Sequence, residues 1–188
     1  MKRKGLFFVS ALILFGLTNV NSAKAEVPPT QTSDQVTVNI KFRPIQTIMV
    51  NEGLDVVDFL YETPDDYQSG IAAIEVSDQL TVNSSGPFIV NVISTDFVAQ
   101  GFEAIPASDM TVTAIKGSGN HRAGTTYETP SVELSTGEVP FITSTGGGMG
   151  LSFNVQYDNT GFDETYVDML TNAETTYTAT VTYTITSN

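Results

Sequence analysis

Nine residues near the C-terminus alternate without a fault: Tyr177, Ala179, Val181, Tyr183 and Ile185 are apolar, and Thr178, Thr180, Thr182 and Thr184 lie between them. A period of two sends the two sets to opposite faces of an extended chain. Threonine is β-branched and polar, so it suits the wetted side of a pleated sheet. Such a segment buries its apolar side well only as a strand that is wetted on its other face. Val181, Tyr183 and Ile185 are therefore the expected core-facing residues of a C-terminal strand.

The same period occurs near the other end, where Val36, Val38, Ile40 and Phe42 alternate with Thr37, Asn39 and Lys41. This predicts a half-buried strand, interrupted at Pro44 because proline has no amide to give to a ladder. Residues 45–50 then read as a second strand, or as its continuation after a kink. Asn51-Glu52-Gly53 marks a turn and residues 56–62 return as a strand. Residues 63–70 are rich in turn formers and predict a loop with room for one helical turn. Residues 79–84 and 88–94 flank Ser85-Gly86-Pro87 and read as a hairpin. Further strands are expected at 110–115, 132–134, 141–143 and 151–157. Residues 163–173 are the one short helix expected, with Tyr166, Met169 and Leu170 at i, i+3 and i+4. Eight to ten short strands with Gly, Pro, Asn and Asp between them predict an all-β, immunoglobulin-like β-sandwich, with a barrel as the second architecture.

The first residues carry a different signal. Lys2, Arg3 and Lys4 precede an apolar run over residues 6–17, which is too short to span a bilayer, and Ala23-Lys24-Ala25 follows. This order predicts a signal peptide over residues 1–25, cleaved before Glu26. Residues 26–34 are then a flexible tail and residues 35–188 a single domain. The protein is expected to be exported to the periplasm, the cell surface or the medium. No cysteine follows the apolar run, so a lipoprotein is not expected, and no second long apolar run predicts a membrane span.

Charge sharpens this reading. The chain has 8 Lys and Arg against 21 Asp and Glu. Four of the basic residues lie in the leader and none of the acidic ones does. An acidic body repels phosphate backbones and anionic lipid, so nucleic acid is not an expected partner. With no cysteine in the chain, the fold must be held by its core without a disulfide.

Few catalytic designs fit. His121, the only histidine, lies in a Gly/Ser/Asn loop without a serine motif beside it, and reads as a solvated loop residue. One histidine and no cysteine make a zinc site poor. The carboxylate pairs Asp65-Asp66 and Asp163-Glu164 read as loop decoration rather than an acid–base pair. Asp158, Asp163 and Glu164 offer oxygens to calcium but lack the alternating spacing of an EF-hand loop, so an acidic turn is expected and no cofactor. Gly146-Gly147-Gly148 has no Lys-Ser or Lys-Thr after it and reads as a turn or bulge, not a phosphate loop. No enzyme is expected. Tyr67 and Tyr127 are the candidates for stacking on a sugar.

The segment 36–51, with its Pro-Ile-Gln-Thr, resembles the opening of a family of small secreted proteins of Gram-negative bacteria, as do residues 66–70, 80–92 and 176–185. Some members carry a loose peptidoglycan-binding label, although no LysM-type motif is present. More distantly the pattern is similar to cysteine-free chaperone–usher pilins and the spore-coat U type of secreted sandwich. That resemblance implies a cell-surface structural or adhesive subunit, in which Val36, Val38, Ile40 and Phe42 form a strand donated to another copy or to another surface subunit. An ordinary first strand of the chain's own sandwich fits the pattern equally well. The alternative function is a monomeric module that binds cell-wall glycan (peptidoglycan) or exopolysaccharide.

Overall fold

The computed structural model describes residues 32–159 and 174–188; the leader, most of the tail and the expected helix at 163–173 lie outside them. The chain divides into two units, Met1–Ile40 and Lys41–Asn188. The second unit is an all-β sandwich of two antiparallel sheets. Its strands are β1 (Gln46–Val50), β2 (Ile74–Ser84), β3 (Phe88–Ser94), β4 (Thr111–Lys116), β5 (Tyr127–Glu128), β6 (Ser131–Glu133), β7 (Val139–Ser144), β8 (Gly148–Asp158) and β9 (Val181–Ser187). One sheet runs β1-β2-β8-β4-β6 and the other β5-β7-β3-β9.

The core follows from the alternation. Leu80 and Val82 of β2, Leu151, Phe153 and Val155 of β8, and Val112 of β4 point inward from the five-stranded sheet, all fully buried. Phe88, Val90 and Val92 of β3 and Phe141 and Ile142 of β7 meet them from the other sheet. Each such side chain, taken out of water, contributes roughly 1.5–3 kcal/mol. That is the natural source of stability for a chain without disulfides.

The expected hairpin at 79–94 is instead an arch. β2 and β3 lie in different sheets and face each other across the core. Both present an inner face that is apolar except for buried Ser84 and Ser94, and these faces bury each other when the chain crosses from one sheet to the other. Pro87 has no amide with which to close a tight ladder, and Ser84 Oγ donates to Gly86 O at 2.8 Å within the crossing. Gly147 lies against this arch so closely that a Cβ would strike Ser84 O and the Ser85–Gly86 backbone. The glycine cluster is thus a close approach that leads into β8.

Two other expected strands are absent. Residues 32–45 carry no strand, and neither do residues 51–63. Alternation lets a segment join a sheet, but a strand exists only with a partner. Pro44 and the turn at 51–53 separate these two segments from β1. One helical turn does form in the expected loop, as the helix α1 (Pro64–Ser69). Thr63 and Asp66 cap it reciprocally: the Asp66 amide donates to Thr63 Oγ1, and the Thr63 amide donates to Asp66 Oδ2 at 2.7 Å. Among the described residues no helix is long and apolar enough to cross a membrane.

Candidate functional site

The C-terminal strand begins at Val181 rather than Tyr177; before it, Thr178 forms a bridge with Val98 and Thr180 is hydrogen-bonded to Thr95. β9 forms one edge of its sheet and β1 one edge of the other. The two edges approach one another without sharing a ladder. Their inward side chains are incompletely covered. Val181, Tyr183 and Ile185 stand opposite Ser94, Val92 and Val90 of β3, which are buried, yet they are themselves only half-buried. Val50 stands opposite fully buried Leu80 and is nevertheless 42% exposed. Apolar side chains that point into a core but still meet water mark this side of the sandwich as open.

β1 covers only part of its neighbour. It pairs with Leu80–Ser84, so the Ile74–Gln79 half of β2 has β8 on one side and, among the described residues, no strand on the other. Residues 54–61 run past this half. Gln79 Nε2 donates to Leu54 O at 2.7 Å at one end, and Asn159 Nδ2, just beyond β8, donates to Tyr61 OH at 2.8 Å at the other. Between these anchors Val57 and Phe59 pack on the core. Residues 55–60 make no backbone hydrogen bond among the described residues. The Tyr157 hydroxyl donates to Gln79 Oε1 at 2.9 Å and lies 3.0 Å from the Tyr183 hydroxyl, which links this region to β9.

The segment 36–42 has the reverse character. Val36, Val38, Ile40 and Phe42 are 77–90% exposed. Four alternating apolar side chains in water represent unspent burial free energy, because isolated exposed apolars are ordinary but a periodic set of them is not.

The remaining candidates fall elsewhere. His121, expected as a solvated loop residue, is half-buried. Its ring packs edge-on against Tyr127 and Phe153, and Nε2 donates to Ser152 O at 2.8 Å. The loop is folded back by Asp78, whose Oδ1 accepts from Ser118 N at 2.7 Å and from Ser152 Oγ at 2.6 Å. The hydrogen bond from the Ser118 hydroxyl, followed by those from the Ser152 hydroxyl and the Ser118 amide, holds the Asp78 carboxyl below the usual carboxylate range. Sequence reasoning passed over Asp78, since only the pairing of β2 with β8 brings Ser152 beneath it.

Neither candidate sugar platform is freely exposed. Tyr127 is half-buried, edge-on to Phe153, with Lys116 Nζ 5.0 Å from its ring centroid. Tyr67 is half-buried on α1, tilted against Tyr61 at 5.2 Å, and its hydroxyl donates to Tyr61 O. An open depression lined by Ile93, Thr95, Asp96, Thr136, Thr180 and Thr182 contains no aromatic ring. Asp158 ends β8, whereas Asp163 and Glu164 lie outside the described residues. Among the described residues no three His, Asp or Glu side chains come together as metal ligands. No protein-family model matches the chain, and neither does any curated protein.

Proposed function

We propose that the protein is an exported structural or adhesive subunit that associates by strand donation, residues 36–42 of one copy adding to the open β1–β9 side of another. The observation that carries this reading is the exposure of all four alternating apolar residues, Val36, Val38, Ile40 and Phe42. An added strand would supply backbone partners to an edge and apolar side chains to a half-covered core, the two contributions typical of strand addition. Charge supports the pairing. Lys41 and Arg43 are two of only four basic residues beyond position 25, and the body that would receive them is acidic.

Magnitudes say where affinity must come from. Burying four such side chains gains roughly 1.5–3 kcal/mol each. Ordering seven residues costs about 1–2 kcal/mol each. These terms nearly cancel, so the ladder hydrogen bonds, at about 0.5–1.5 kcal/mol net each, decide the outcome. Losing one or two of the four apolar contacts should therefore abolish association. Purified wild-type chain is expected to form a concentration-dependent series of oligomers, and the Val38→Asp/Ile40→Asp chain is expected to be monomeric. A monomeric wild type, or oligomers that survive the double substitution, would overturn the proposal. The glycan-binding alternative lacks a comparable support, because the rings of Tyr67 and Tyr127 are engaged within the fold.

A further inference from the structure

We infer that residues 54–61 are a built-in stand-in for the donated strand, covering the open side of the sandwich until a second copy's residues 36–42 displace them. The inference rests on the strand-donation reading and concerns how the acceptor side is kept closed in its absence. Four observations converge on this segment. It lies beside the uncovered half of β2, where β1 has run out. Val57 and Phe59 reach the core through side chains alone, without backbone hydrogen bonds from residues 55–60 among the described residues. Val57, Phe59 and Tyr61 recur at every second position, the same spacing as Val38, Ile40 and Phe42. The charged residues within and beside the two segments differ in sign: Asp55, Asp58 and Glu62 are exposed acids on an acidic protein, whereas the donated segment brings Lys41 and, just after it, Arg43.

Exchange is favourable on each count. The incoming strand offers the same class of side chain to the core and adds ladder hydrogen bonds that the stand-in does not make. It also replaces like charge with opposite charge. The stand-in is held chiefly by its two ends, at Leu54 and Tyr61, so its middle can leave without breaking a strand pair. Val56 and Leu60, 70% and 64% exposed, already face water and need no desolvation to move.

The test uses the full chain carrying Val38→Asp and Ile40→Asp, which disables its own donation at exposed positions, and a synthetic peptide of residues 34–43 as the probe. The protein has no tryptophan, so Phe59→Trp in this background is a single reporter of the stand-in. Peptide binding, followed by anisotropy of a labelled peptide, should be accompanied by a red shift of the tryptophan emission. A second variant, Val57→Ala in place of Phe59→Trp, keeps the aromatic ring and should bind the peptide about tenfold more tightly, because it loosens only what must leave. Peptide binding without a red shift, or binding weakened by Val57→Ala, would overturn the stand-in and leave strand donation standing. Absence of peptide binding in the background chain would overturn strand donation and the stand-in with it.

Discussion

Asp78 has a backbone φ of 52°, in the left-handed region that aspartate tolerates better than most residues. It sits where the register of β2 on β8 shifts between Val76 and Leu80. Its amide donates to Asn154 Oδ1 at 2.8 Å while its carboxylate holds the 117–121 loop. A Cβ at Gly117 would collide with Asp78 Oδ1, so that glycine is there for close approach. Asp78→Ala should lower the thermal midpoint more than Asp78→Gly, since both lose the carboxylate but only alanine retains the backbone strain. A larger effect of Asp78→Gly would contradict this. The carboxyl is held low in the folded protein, so its contribution is present above about pH 3.9 and is lost as pH falls through the lowered value. Acid unfolding of Asp78→Asn should be correspondingly less steep in that window. Tyrosines act at the other end of the scale. Burial pushes Tyr183 up and raises Tyr61 to about 12. Above about pH 10 the unfolded tyrosines lose their protons while the folded ones keep them, so stability should fall with rising pH. Tyr183→Phe should reduce that alkaline slope, as read by thermal melts between neutral and alkaline buffers. None of these roles is marked by local sequence. Asp78 stands in an ordinary Ser-Asp-Gln, and its partners are 40 and 74 residues away.

Elements were legible where the pattern was long and both faces had a fate. β8 and β9 follow directly from alternation, with their threonine or polar sides outward, apart from Ser152 beneath Asp78, and their apolar sides inward. The β2–β3 connection was not, because two apolar runs around a Gly-Pro turn look the same whether they pair in one sheet or face each other across two. In the structure Leu80 and Val82 meet Phe88, Val90 and Val92 from the opposite sheet, which is the second arrangement. Segments 36–42 and 56–62 show the other limit: period two describes a capacity for pairing, and the partner is not written in the segment. Hydrogen exchange should separate these cases by element. Amides of residues 55–60 should exchange near the rate of open chain, while those of β2 and β8 that face each other in the ladder should be strongly protected. Comparable protection in both would contradict an unpaired 55–60. Within the paired sheet, Phe153→Ala should cost roughly 3–5 kcal/mol in denaturant unfolding, the range for removing a fully buried aromatic ring.

The whole molecule combines an acidic body, a sandwich incompletely covered along one side, and an exposed apolar segment that carries Lys41 and Arg43. Copies with so much like charge repel one another over a Debye length, about 10 Å at 0.1 M salt. On the strand-donation proposal, Lys41 and Arg43 would offset this where the copies meet. Lys41→Glu/Arg43→Glu should therefore slow association by about tenfold or more at low salt, with less effect at high salt. The same slowing at every salt concentration would speak against an electrostatic role. Cross-linking tests strand donation most directly, because the chain has no cysteine of its own. Asn39→Cys in one population and Thr182→Cys, Thr184→Cys or Thr186→Cys in another would place thiols on the outward side of the donated segment and of β9. Mixing them under mild oxidation should give a two-copy product for at least one threonine position, and that product should vanish when Ile40→Asp is added to the donor. Association without a cross-link at any of the three positions, or a cross-link indifferent to Ile40→Asp, would contradict strand donation at β9.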